Sequence, residues 1–303
     1  MINILPSHFI GVILSSLFYG FTLAQTLWYF QTYPKDRWTM KALVAFLWTL
    51  DTAQLALVAA SIYHYTITWQ GDIEMSSRVS KTFEASMGVT SIIAFLVQLT
   101  YAHRIWRLSF GNILVTFFIV LLASVALGSG AAMVIKTVRD PLWDSTHVSN
   151  LPASSFYLSS MACDVLIAAT QVYLFHKSRT GIGRLGGLIT RLTVLVVNVG
   201  LITSIDVTLF LILFLVCPRN GAFLVPYVLM SHCYLNSFLS VLNSRRELRE
   251  LVDNDDVGDP VLLIILTAPD ATPFQYACPS IYSAPDVTPS QHDCPSIYTV
   301  ASV

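Results

Sequence analysis

Seven stretches of this chain are each apolar for roughly 20 residues, the length an α-helix needs to cross the hydrocarbon core of a bilayer. They are read at 9–30, 42–65, 86–104, 112–135, 156–176, 192–216 and 222–242. In lipid, each backbone N–H and C=O must be paired within its own segment or a closed barrel. Runs of this length therefore predict helices. The expected fold class is all-α: a polytopic membrane protein with a seven-transmembrane-helix bundle over 1–249. Composition agrees. Hydrophobic residues make up 54% and charged residues 12%, against about 25% charged in soluble domains. The mean hydropathy is +0.64. A net charge of −1 with no basic motif gives no reason to expect nucleic acid.

Basic residues set the expected orientation. Lys35, Arg37, Lys41, Arg104, Arg107, Lys177, Arg179, Arg184, Arg191, Arg245, Arg246 and Arg249 fall on one side. Arg78, Lys81, Lys136, Arg139 and Arg219 fall on the other. The bias places the N-terminus outside and the C-terminus in the cytoplasm; the plasma membrane is the expected location. Trp28, Trp38 and Trp106 are expected at the inner interface, and Trp69 and Trp143 at the outer one. Met1–Pro6 lacks the basic n-region of a cleaved signal, so the first span is read as retained. Pro226 is expected to kink the seventh span near its outer end.

From 250 to 303 the composition turns acidic, then rich in Pro and Ser. A 16-residue unit at 267–282, TAPDATPFQYACPSIY, recurs at 283–298 as SAPDVTPSQHDCPSIY. Such a segment buries too little apolar surface to fold alone and is expected to be a disordered cytoplasmic tail. It is one expected site for a cytoplasmic partner. The basic loop 177–191 is the other.

The chemistry lies in polar residues inside the spans. Asp51, Asp164 and Asp206 fall near the bilayer middle. A charged side chain there costs about 2.5 to 3.5 kcal/mol on insertion scales, and folds turn such groups inward. At 100° per residue, Asp51, Gln54, Ser61 and Tyr65 share one face of the second span. Tyr157, Ser160, Asp164 and Gln171 share a face of the fifth. Thr203 lies beside Asp206 on the sixth, with Asn198 further round. These stripes predict a polar pocket inside the bundle. With no intramembrane Lys or Arg to pair with them, the acids are expected as neutral donors to Gln54, Gln171 or Asn198. The competing reading is interhelical packing bonds, about 0.6 kcal/mol each.

Other chemistries find little support. Cys163, Cys217, Cys233, Cys278 and Cys294 form no CxxC pair and no extracellular disulfide framework. No HxxxH or HExxH spacing suggests zinc, the seventh span has no Schiff-base lysine, and no GxSxG nucleophile elbow occurs. No enzyme, metal or cofactor is expected.

Several stretches carry a resemblance. They are Tyr29–Asp36 (YFQTYPKD), Phe46–Thr52 (FLWTLDT), Tyr101–Ser109 (YAHRIWRLS), Ser178–Gly181 (SRTG), Asn198–Ser204 (NVGLITS) and Tyr234–Arg245 (YLNSFLSVLNSR). With them the chain resembles, over roughly Pro6–Arg249, the fungal membrane family catalogued as domain of unknown function 6534. The resemblance implies a seven-helix membrane protein and no known chemistry. Family members often carry histidine where Gln54 and Ala60 stand here.

The function expected is that of a receptor-like or sensor membrane protein with a small-molecule ligand. A small-molecule or proton-coupled transporter is the alternative, though no repeat of spans is apparent.

Overall fold

The computed structural model describes residues 5–109, 113–143, 151–179, 186–216 and 221–246, without the side chains of 73, 76, 177–179, 186–193 and 195–199. The duplicated tail and most of the basic loop 177–191 therefore lie outside the described residues.

Seven long helices form: α1 Leu5–Thr32, α2 Trp38–Tyr63, α3 Lys81–Leu108, α4 Ile113–Arg139, α5 Leu151–Arg179, α6 Gly186–Val216 and α7 Leu224–Asn243. All but α6 are long and apolar enough to span a membrane, and the described part of α6 contains the shorter apolar stretch Gly200–Val216. The chain is a multi-pass membrane protein. Most helices extend past the apolar runs that predicted them; α3, for example, starts at Lys81 rather than Ser86. The reason is local: the Ser80 side chain caps α3 by accepting from the Phe83 amide at 3.2 Å.

Large apolar side chains face outward, among them Phe21, Ile113, Leu114, Phe117 and Leu215. This is what a lipid solvent selects. Hydroxyls within the spans donate back to carbonyls four residues earlier, as Ser124 does to Val120 at 2.8 Å and Thr100 to Leu96 at 2.8 Å. The bond satisfies them without a partner helix.

Successive helices pack against one another, and α7 closes the ring on α1. Two helices lie further in. α3 touches α2, α4, α5 and α7, while α7 touches α1, α2, α3 and α6. Fifteen of the 20 residues of α7 are buried. Pro226 sits in the first turn of α7, where its missing N–H would have had no helical partner. The expected kink therefore has no cause.

At the end holding the start of α1, a π turn at His64–Thr68 finishes α2. Tyr65 donates to the Arg78 carbonyl and accepts from the Ser80 amide, both at 2.8 Å. The Val79 amide donates to Pro141 O at 2.6 Å and the Trp143 amide to Ser77 O at 3.1 Å, tying the two long loops together. Trp143 is thereby buried against Phe83. Trp28, Trp38 and Trp106 are exposed.

Candidate functional site

Asp51, Asp164 and Asp206 are all buried, at 0%, 7% and 8% exposure. Asp51 and Asp164 meet different sides of α7, on which residues two apart project about 200° apart. His232 therefore meets Asp51 on one side of α7 while Tyr234 meets Asp164 on the other.

On the first side, His232 Nδ1 lies 2.8 Å from Asp51 Oδ1, and both side chains are fully buried. The approach is close but angled away from good hydrogen-bond geometry, which leaves both groups short of partners. One turn along α2, Gln54 Nε2 donates to Thr90 Oγ1 at 3.3 Å. The sequence reading found no basic partner for these acids. The structure corrects this for Asp51: an imidazole from α7 supplies it.

On the second side, Tyr234 donates to Asp164 Oδ2 at 2.6 Å, and Gln98 Nε2 donates to Asp164 Oδ1 at 3.0 Å. A cavity of about 30 Å³ opens beside the carboxylate. Its lining includes Tyr101, Asp164, Gln171, Thr203, Tyr234 and Ser237. Thr203 donates to the Gly200 carbonyl at 3.2 Å. The Tyr101 hydroxyl, the Ser237 hydroxyl and both polar atoms of Gln171 are buried without a partner. About two water-sized particles fit such a space.

Of the predicted pocket residues, Asp164, Gln171 and Thr203 line this cavity, and Asp51, Gln54, Tyr157, Ser160 and Asp206 are not among its lining residues. Asp206 lies within electrostatic reach of Cys233 and Tyr234, and Asp51 also within reach of Cys233. Tyr157 stacks on Phe210 with ring centroids 3.6 Å apart. The Tyr157 hydroxyl and Ser160 Oγ are buried without partners. The Asn198 side chain lies outside the described residues. Sequence reasoning missed Gln98, Tyr101, His232 and Tyr234. An imidazole mid-span was signal enough for His232.

Two further polar groups mark the ends of the bundle. Near the start of α1, fully buried His8 places Nε2 2.9 Å from Ser61 Oγ, against the rings of Tyr65 and Phe83. At the other end, Arg245 just past α7 donates to Asp36 Oδ2 at 2.7 Å. The same oxygen accepts from Tyr29 at 3.0 Å. The Arg245 guanidinium stacks 4.3 Å from the Tyr33 ring centroid, an arrangement that favours the cation. Tyr33 donates to Asn243 O at 3.0 Å and accepts from the Arg246 amide at 2.9 Å. Along the way, Asn236 and Asn243 of α7 donate to Phe18 O and Gln25 O of α1 at 3.0 and 2.9 Å. Two stretches that carried the family resemblance, Tyr29–Asp36 and Tyr234–Arg245, thus form one lock between α1, the first loop and α7.

Residues 160–247 match a family of unknown function (DUF6534). The match spans α6, α7, Arg245 and every lining residue of the Asp164 cavity except Tyr101. No curated protein and no solved structure matches the chain.

Proposed function

We propose that this protein is a receptor-like sensor in which α7 couples a polar interior to a lock at the C-terminal end of the bundle. One observation supports the reading above the others. The most buried helix carries His232 toward Asp51 and Tyr234 toward Asp164, then ends at the Arg245–Asp36 pair. A ligand that repositions either acid acts on a rigid rod. From Tyr234 to Asn243, the last residue of α7, is about 13 Å of helix, and Arg245 follows two residues on. With the N-terminus outside and the C-terminus in the cytoplasm, as the basic bias favours, and the chain in the plasma membrane, the lock would face cytoplasmic partners of the 177–191 loop and the tail.

Hydrogen exchange on the full chain in detergent, in choline chloride, tests the coupling. Tyr234→Phe removes the 2.6 Å bond to Asp164. Exchange in peptides covering 33–37 and 242–246 should rise about fivefold or more, the size of a coupling near 1 kcal/mol. Unchanged exchange there, beside altered exchange in mid-α7, sinks the proposal.

The transporter reading draws on the Asp51–His232 pair, since an intramembrane carboxylate beside an imidazole suits proton transfer. Proteoliposomes holding a pH-sensitive dye distinguish the two. A sustained proton flux above that of empty vesicles favours transport.

A further inference from the structure

We infer that the cavity beside Asp164 is a binding site for a small monovalent cation of the size of Na⁺, held with about one water. The inference deepens the sensor reading by assigning an occupant to its interior, and it rests on that reading for its purpose alone.

Asp164 first points to charge. Both carboxylate oxygens accept, one from the Tyr234 hydroxyl at 2.6 Å and one from the Gln98 amide at 3.0 Å. An ionised carboxylate is acceptor-only, and a 2.6 Å O–H···O contact is the length of a charge-assisted bond. A carboxylate in that form, buried in a bundle, needs a counter-charge. No Lys, Arg or His is among the lining residues. Arg104 lies one turn beyond Tyr101 on α3 and is not part of the wall.

The wall then supplies oxygen. The Tyr101 and Ser237 hydroxyls and the Gln171 side chain are each more than nine-tenths buried, lack a partner and line the same space. Thr203 adds a fourth neutral oxygen. One carboxylate with neutral oxygens suits a monovalent ion. Ca²⁺ takes six to eight oxygens, usually with more than one carboxylate. Softer metals want imidazole or thiolate, and among the described residues no three His, Cys, Asp or Glu side chains converge. The volume, about 30 Å³, admits an ion and one water. The lining extends from Asp164 to Gln171 and from Tyr234 to Val241. Seven residues on each helix is about 10 Å, so the cavity extends from Asp164 toward the Arg245 end.

Thermal unfolding of the full chain in detergent tests this, in NaCl or choline chloride at matched ionic strength. Na⁺ should raise the melting temperature saturably, by about 3 to 6 °C at ten times the half-saturating concentration. Asp164→Asn should abolish the rise. Ser237→Ala, which deletes one ligand oxygen and little volume, should move half-saturation several-fold higher and serves if the Asn variant does not fold. Equal melting in the two salts overturns the inference and leaves waters around a neutral acid. A sodium effect unchanged in either variant overturns it too. The exchange test of the coupling is made without sodium, so each idea can fail alone.

Discussion

Replacing Asp51 and His232 by Leu, singly and together, measures what the central pair does for the bundle. Both side chains have 0% exposure and lie 2.8 Å apart. Removing either strands the other where no water reaches it. A buried polar group without a partner costs about 1 to 3 kcal/mol. One observation bears on where in that range the loss falls: the existing contact is angled, which lowers what is lost. A loss of about 2 kcal/mol per single variant follows. For a protein of this size that is a fall of about 4 to 8 °C in apparent melting temperature. Removing both groups exchanges the pair for apolar side chains of similar bulk, which is often close to neutral. Asp51→Leu/His232→Leu should therefore melt within about 3 °C of the wild type, and Asp51→Asn, which keeps a donor, closer still. The assay is the double-mutant cycle itself, on detergent-solubilised full chain. If the double variant falls by the sum of the two single drops, the residues do not act as a pair and the reasoning is wrong.

Two glycines on α4 give opposite expectations. A Cβ at Gly130 would press on Ser91 Oγ, with Ser91 Cβ at 2.9 Å, while nothing lies within 4 Å of one at Gly128. Gly128→Ala should raise the melting temperature by a few degrees, the helix gain of about 1 kcal/mol; Gly130→Ala should lose that gain to overpacking of about 1 to 3 kcal/mol. Equal melting of the two variants would show that α3 and α4 part more easily than their packing suggests. For orientation, protease added outside intact cells should spare an epitope placed after Val303, and its removal from sealed cells would reverse the assigned topology.

The positions of the helices were legible in the sequence because solvation by lipid is a local property. A run of apolar residues such as 112–135 needs no knowledge of its neighbours to become a span. The inward facing of Asp51 and Asp164 was legible for the same reason. The cost of a carboxylate in hydrocarbon falls on each helix alone, and both are buried. The ends were less so. The Pro226 kink failed because a proline's effect depends on its distance from the helix start, and that start is set by the turn before Leu224.

What tertiary structure decided is which polar groups meet. A helical wheel fixes directions about one helix's own axis and says nothing of what stands opposite. Three acids pointing inward predict one pocket, but Asp51 and Asp164 meet different sides of α7, which has no acid of its own. Its 200° step from His232 to Tyr234 assigns Asp51 an imidazole and Asp164 a phenol on opposite sides, and leaves the cavity to Asp164. The Arg245–Asp36 lock likewise joins residues 209 positions apart in the chain. Such partnerships follow from the order and rotation of all the helices at once, which the packing of their apolar faces sets and no single segment contains.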